Sequence, residues 1–392
     1  MKRLAIITTH PIQYNAPLFS LLNERGKIHV KIFYTWGQSE KADLYDPGFG
    51  IERKWDIPLL EGYDHEFVEN TSRKPGTHHF MGIVNPGLRK KIKAFLPDAI
   101  LVYGWSFYSH LKIIRHLKGR VPVFFRGDST LLDEPAGFSF KKKLRRLFLK
   151  WVYRHVDTAF YTGTNNKEYF LAHGLKDDQL VFAPHAIDIS RFAEDEEIKK
   201  TGALQWRREL GIADTDIVFL YAGKMEAKKN PAFLVETFSA LTSSNVHLVM
   251  AVDGILLEAL KKDHSKNGRI HFVGFQNQQK MPIVYRLGDV FVLPSSGPGE
   301  TWGLSINEAM SCGRAVLVSD KCGAAIDLVR NNENGFIFES GNSSGLLEKL
   351  NNLCGNKFSL LQMGQCSRSM IESWSLEQVA SAIENKINEP NQ

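Results

Sequence analysis

Short continuous apolar runs, each closed by glycine or a turn residue and followed by a helical pattern, recur along the whole chain. The first set is RLAIIT (3–8), HVKIFYT (29–35), DAILVYG (98–104), VPVFFRG (121–127) and DTAFYTG (157–163). The second is DIVFLYAG (216–223), VHLVMAV (246–252), RIHFVG (269–274), DVFVLPSS (289–296) and RAVLVSD (314–320). Half-exposed strands would alternate apolar with polar. Unbroken apolar runs suit strands covered on both faces, as in a parallel sheet flanked by helices. Helical patterns fall between the runs at 16–25, 87–95, 107–118, 140–155 and 165–173, then at 231–243, 254–266, 279–287, 304–312 and 324–330. The expected class is α/β, with two Rossmann-like doubly wound domains facing a central cleft.

The 392 residues give room for two or three domains at roughly 150 residues each. The charged segment AEDEEIKKTGALQW (193–206) carries no strand signal and marks the boundary, so the domains are expected at 1–195 and 196–372. A last helix, SLEQVASAIENKI (375–387), opens on a capping box of Ser375 and Gln378 and fills a terminal segment, 373–392. The aromatic and glycine-rich stretch 38–80 reads as loops over the cleft.

Composition excludes several classes. At 43% hydrophobic and 23% charged the chain is globular and not disordered. A net charge of +6 suits anionic ligands or an anionic membrane surface but is too small to argue for nucleic acid. Cys312, Cys322, Cys354 and Cys366 form no C-x-x-C pair and read as reduced, buried thiols. The opening MKRLAIITTHPIQY ends its apolar run too early for a signal peptide, and no stretch approaches the ~18 apolar residues of a membrane span. A soluble, cytoplasmic protein is expected.

Chemistry concentrates at SSGPGETWGLSINEAMSCGRAV (295–316). Residues 294–303 form the loop at the carboxyl end of a strand, and glycines 297, 299 and 303 let backbone approach a ligand. The helix that follows starts near Leu304–Ser305, and its first N–H groups suit a diphosphate. Glu300 has no evident structural need for a charge. Glu308 has two readings, as a ligand contact or as the second member of a capping box Ser305-Ile306-Asn307-Glu308. In YAGKMEAKKNP (221–231), Lys224 and Lys229 follow a strand and could reach one phosphate cluster; the alternative is solvated surface lysine.

LYAGKMEAKKNPAFLVETF, HFVGFQNQQKMPIVYRLGDVFVLPSS and GETWGLSINEAMSCGRAVLVSDKCGAAIDLV resemble the C-terminal half of retaining GT-B glycosyltransferases of family 4. The likeness runs over about 165–340 and includes VFAPHAIDISRF, which is similar to that family's P-N-G-V-D turn. Glu300 and Glu308 stand as its E-x7-E pair. The resemblance implies a nucleotide-sugar donor on the C-terminal domain, an acceptor on the N-terminal one, and a last helix that crosses back to the N-terminal domain. It implies that Glu300 contacts donor-sugar hydroxyls, Glu308 the ribose, and Lys224 and Lys229 the diphosphate. Lys224 stands where the family usually has arginine, so it would act as a point charge and not as a fork. The backbone of Trp302, Gly303 and Leu304, with Thr301 and Gly223, would line the phosphates, and Phe275 and Gln276 the base. No metal and no cofactor is implied. The one D-x-D, Asp214-Thr215-Asp216, precedes a strand and reads as a turn.

The N-terminal half departs from that family. THPIQYNAPLF (9–19) puts His10, Gln13 and Tyr14 where small residues are usual, as acceptor contacts or as local packing. In FFRGDST, Arg126 or Asp128 stands where a histidine is common: Arg126 could bind an anion and Asp128 could orient an acceptor hydroxyl, or the two form a surface pair. His185 replaces an asparagine. FKKKLRRLFLKWVYRH (140–155) is basic and amphipathic, either a peripheral membrane contact at the inner face or a helix packed on the sheet with a solvated basic face. The expected function is retaining, metal-independent transfer of a sugar to a saccharide or a polyprenol- or lipid-linked acceptor, in cell-surface polysaccharide or glycolipid assembly. UDP-sugars are the first choice of donor and GDP-mannose the next. The alternatives are a non-catalytic sugar-nucleotide binder and a nucleotide-sugar 2-epimerase, although no acid–base set for the latter stands out.

Overall fold

The computed structural model describes residues 1–37, 44–46, 51–53, 55–134, 137, 139–254, 256–264 and 267–390. The strands of the first half are β1 (Arg3–Thr8), β2 (His29–Tyr34), β3 (Leu44–Asp46), β4 (Ile51–Arg53), β5 (Asp64–Phe67), β6 (Ala99–Tyr103), β7 (Val123–Arg126), β8 (Thr158–Tyr161) and β9 (Leu180–Phe182). Those of the second half are β10 (Ile217–Lys224), β11 (Val246–Asp253), β12 (Ile270–Phe272), β13 (Val290–Leu293), β14 (Ala315–Ser319) and β15 (Gly335–Phe338). The helices are α1 (Ala16–Arg25), α2 (Leu88–Phe95), α3 (Tyr108–Leu117), α4 (Phe140–Tyr153), α5 (Thr164–Ala172), α6 (Ile189–Ala193), α7 (Glu196–Glu209) and α8 (Pro231–Ser239). They continue as α9 (Leu257–Asp263), α10 (Met281–Leu287), α11 (Leu304–Ser311), α12 (Ala325–Leu328), α13 (Ser343–Leu353), α14 (Lys357–Ile371) and α15 (Leu376–Asn388).

Two parallel sheets result. The first runs β5-β2-β1-β6-β7-β8-β9 and the second β12-β11-β10-β13-β14-β15. Every pairing in both is parallel. All ten apolar runs form strands, and their central residues are buried: Ile6, Leu101, Phe219, Leu248, Phe291 and Leu317 have no exposed surface. β5, β9 and β15 carried no such signal, and each lies at an edge of its sheet; β12, the fourth edge, did carry one. An edge strand is short and covered on fewer sides, so it needs no apolar run. β3 and β4 pair antiparallel within the stretch read as loops, part of which lies outside the described residues.

The chain divides into two compact units, Met1–Ala42 with Pro58–Ala186 and Leu376–Gln392, and Asp43–Ile57 with Ile187–Ser375. The charged segment 193–206 is mostly α7, which buries Ala203 and Arg207. The four cysteines are free, but only Cys312 and Cys322 are buried; Cys354 and Cys366 are partly exposed.

In the first unit the core lies between β1, β6, β7 and the helices on one face, with Ile100, Val102, Phe125, Tyr153 and Phe170 at its centre. On the other face α1 packs against α15. Pro17 opens α1, and Gly26, in the left-handed region at φ 59°, stops it. That stop places Arg25 beside α15. Its Nε donates to Glu384 Oε1 at 2.8 Å and its Nη2 to Oε2 at 2.7 Å. Glu384 is only 2% exposed, and this fork, with Lys27 Nζ 3.5 Å from Oε2, balances its charge.

Removing Arg25 leaves the buried Glu384 carboxylate with only the longer Lys27 contact, at 3.5 Å. Arg25→Ala is therefore expected to cost about 3 kcal/mol and to lower the unfolding midpoint measured by calorimetry. Arg25→Lys, which keeps charge but not the fork, should fall between. An Arg25→Ala melting curve that overlays the parent would show that the fork contributes nothing.

Candidate functional site

Both sheets reverse strand order beside their first strand. β10 is flanked by β11 and β13, so the chain extends the sheet in one direction through β11 and β12 and then crosses to the other side of β10. Loops at the carboxyl ends of the two strands flanking such a reversal diverge over opposite faces and leave a crevice. Here those loops are 225–230, after β10, and 294–303, after β13.

The two loops are tied together. Residues 227–229 form one 3₁₀ turn, and Asn230, at φ 54°, sets up Pro231 as the first residue of α8. Ser296 N donates to Lys228 O at 2.9 Å. Lys229 Nζ thereby lies 2.5 Å from Glu300 Oε2, which also accepts from Ser295 Oγ at 2.9 Å. Glu300 is 7% exposed. Lys224 ends β10 opposite Asp253 in register, with Gly223 just before it. Phe275 and Gln276 follow the edge strand β12, where the Gln276 side-chain amide donates to Val273 O at 2.9 Å.

The helix start differs from the S-x-x-E expectation. α11 begins at Leu304, its N-cap is Gly303 at φ 98°, and no side chain caps it. Ser305 is already inside the helix, so the capping-box reading of Ser305 and Glu308 is corrected. The Glu308 carboxylate accepts instead from the Tyr285 hydroxyl of α10 at 2.6 Å, in a buried contact. Trp302 is also buried and donates its indole N–H to Asn307 Oδ1 at 2.9 Å. No N-cap side chain competes for the first N–H groups of α11.

A close backbone approach holds this loop from behind. Gly323 N donates to Glu300 O at 3.0 Å, and Ala324 N to Trp302 O at 3.0 Å. A Cβ on residue 323 would sit 1.7 Å from Thr301 O, so only glycine fits there. Ser295, Tyr285, Asn307 and Gly323 were not singled out from the sequence. Ser295 directly follows an apolar run and could have been; Tyr285 lies on another helix with nothing local to mark it.

In the first unit, Arg126 is buried, and its Nη1 and Nη2 donate to Ala183 O (2.9 Å) and Pro184 O (2.8 Å). Burial pushes its pKa down. The surface-pair reading of Arg126 with Asp128 is thus corrected: the guanidinium clasps the backbone that leads to His185. His185 Nε2 lies 3.9 Å from Asp128 Oδ2. Burial pushes the His185 pKa down, against the pull of the Asp128 carboxylate. His10 sits edge-on to Trp36 with ring centroids 5.3 Å apart; its pKa is lowered by burial, and among the described residues its buried Nδ1 has no hydrogen-bond partner. Gln13 and Tyr14 lie in the turn before α1, partly buried.

Among the described residues no three His, Cys, Asp or Glu side chains are grouped to hold a metal ion. Asp214 pairs with Arg208, and Asp216 with His247, at the amino end of β10.

The family described as glycosyl transferases group 1 matches residues 203–370. The chain is 23% identical over 235 residues to the N-acetyl-alpha-D-glucosaminyl L-malate synthase of Bacillus anthracis, covering 58% of each chain. It is 29% identical over 195 residues to the lipopolysaccharide 1,2-N-acetylglucosaminetransferase of Salmonella typhimurium, covering 46% of this chain and 50% of that one. The chain thus spans little more than half the length of these curated relatives. Among solved structures, the Anabaena protein HepE in complex with UDP and glucose superposes with a TM-score of 0.72 at 17% identity, covering 100% of both chains. The fold, two parallel-sheet α/β domains, is that of GT-B glycosyltransferases.

Gly323→Ala should force the 300–302 backbone away and cost about 3 kcal/mol, as overpacking does. Gly268→Ala, where a Cβ meets no atom within 4 Å, should leave the melting temperature nearly unchanged. Equal shifts in the two variants would mean that the close approach is not what demands glycine.

Proposed function

We propose that this chain, whose residues 203–370 match the glycosyl transferases group 1 family, transfers a sugar from a nucleotide-sugar to a saccharide or lipid-linked saccharide. The configuration at the sugar's C1 is retained and no metal takes part. The observation that carries the reading is the Lys229–Glu300 pair at the crevice of the second sheet, beside the uncapped start of α11. UDP-sugars are the first choice of donor and GDP-mannose the second; the UDP complex of the structural neighbour is in keeping with that order. A role in cell-surface polysaccharide or glycolipid assembly agrees with the lipopolysaccharide-directed relative.

The chemistry follows from charge. Breaking the bond from C1 to phosphate leaves positive charge on the sugar and negative charge on the leaving nucleoside diphosphate. Lys224, Lys229 and the N–H groups at the start of α11 stabilise that diphosphate as its charge forms. The Glu300 carboxylate, fixed by Ser295 and Lys229, holds donor-sugar hydroxyls and faces the developing positive charge. A leaving-phosphate oxygen takes the acceptor hydroxyl's proton on the face where the new bond forms, which retains configuration. Glu308, steadied by Tyr285, accepts from the ribose hydroxyls. Asp128 and His185 in the first unit, with His10, Gln13 and Tyr14, contribute to the acceptor side, and Arg126 shapes that side by fixing the 183–184 backbone.

The first test is a thermal-shift screen against UDP, GDP, CDP, ADP and their sugars, in EDTA. A nucleotide at 100 times its dissociation constant adds about 2.7 kcal/mol of stability, and one base should stand out. No shift with any of them would turn the reading away from a nucleotide-sugar enzyme. With donor and acceptor in hand, Glu300→Ala should lower turnover at least ~100-fold while leaving nucleotide affinity nearly intact. Unchanged turnover would remove Glu300 from the mechanism. Glu308→Ala should weaken nucleotide binding; a loss of thermal stability alone would make Glu308 purely structural.

A further inference from the structure

α4 has two apolar faces. One is the face an α/β fold requires: Leu149, Val152 and Tyr153 are buried against the first sheet. The other points outward. Phe140 is 68% exposed, Leu144 51%, Leu147 56% and Phe148 43%. These residues fall at i, i+4, i+7 and i+8, so they form one stripe along the helix. Trp151 continues it, stacked on Phe148 with centroids 5.6 Å apart, and Trp105 meets Phe148 edge-on at 5.5 Å. Single exposed apolar side chains are ordinary, but a contiguous stripe of large ones on a surface helix marks a contact surface.

The cations of the helix are divided between the two faces. Lys142 and Arg146 turn inward to the Glu134 carboxylate, each at 3.0 Å. Arg145, at 4.0 Å, stays more than half exposed. Lys141, Lys143 and Lys150 are exposed, and among the described residues no carboxylate lies within 4 Å of them. At 100° per residue Lys141 lies on one flank of the apolar stripe, and Lys143 and Lys150 on the other. Arg115 of α3 adds a guanidinium over the Trp151 ring at 4.8 Å.

We propose that the outer face of α4 docks on an anionic lipid bilayer, lying in the plane of the headgroups with Phe140, Leu144, Leu147 and Phe148 in the acyl boundary and Lys141, Lys143 and Lys150 on the lipid phosphates. An apolar stripe flanked by uncompensated cations is complementary to that surface. A second copy of the chain is a poor occupant, because a two-fold contact pairs the same patch with itself and would bring like charges together. At 14 residues the helix lies on the membrane and does not cross it, and no described helix is long and apolar enough to cross. The surface does not depend on the reaction assigned to the second unit.

The test is co-sedimentation of the full chain with vesicles of phosphatidylglycerol and phosphatidylcholine, and with vesicles of phosphatidylcholine alone. The parent should bind the anionic vesicles at least about tenfold better, and less well at high salt. Leu144→Glu/Phe148→Glu and Lys141→Glu/Lys143→Glu should each lose about tenfold in binding with melting curves unchanged. If the first variant fails to fold, the second still decides, since those lysines pack on no core. Failure of the parent to bind, equal binding to neutral vesicles, or binding untouched by the variants overturns the proposal. So does a dimer in light scattering that Leu144→Glu/Phe148→Glu converts to monomer.

Discussion

The reversal of strand order beside β10 is the constraint on which the rest of the second unit depends. Crossovers between parallel strands are right-handed, so extending a sheet first one way and then the other puts successive helices on opposite faces. The loops after β10 and β13 are thereby left side by side with no helix between them. One carries Lys229 and the other Glu300, and the 2.5 Å contact between them is a consequence of that topology. The same reversal at β1 and β6 in the first sheet leaves the loop with His10, Gln13 and Tyr14 at the corresponding crevice.

A cation and a carboxylate at a crevice are useful only if they are held still. The polar groups around the 294–303 loop are paired: Glu300 with Ser295 and Lys229, Trp302 with Asn307, Glu308 with Tyr285. Each is buried or nearly so, and breaking one bond would strand its partner away from water. Gly323 adds a backbone contact from behind. The loop is thus a rigid support for the chemistry that depends on it, consistent with charge stabilisation by groups that need not reorganise.

Much of this was legible residue by residue. Nine of the ten apolar runs became central strands and the tenth the edge strand β12, because a strand covered on both faces must be apolar along its length. The edge strands β5, β9 and β15 escaped notice because that requirement is relaxed there. Glu300, Lys224 and Lys229 could be nominated since they follow such runs, and strand ends are where α/β sites are built. Glu308 shows the limit. The S-x-x-E pattern is local and reads as a cap, but Gly303 takes the N-cap and Tyr285, on a different helix, takes the carboxylate. Arg126 shows it again. Near Asp128 in sequence it looks like half of a surface pair, yet it ends a buried strand and donates to the carbonyls of 183 and 184.

The basic helix divides the two kinds of information most clearly. Its spacing and charge determined that α4 would be amphipathic, and left open whether its apolar face covers a sheet or meets a membrane. Only the tertiary structure decided that burying Leu149, Val152 and Tyr153 uses up one face and leaves a second apolar stripe outside, and that Glu134 claims two of its cations. Periodicity is a property of residues near one another in the chain, so the sequence alone determined the apolar strands, the helices between them and the sheet class. Which side chains meet across the fold is set by strand order and by the pairing of buried polar groups, and those act between residues that no local pattern connects.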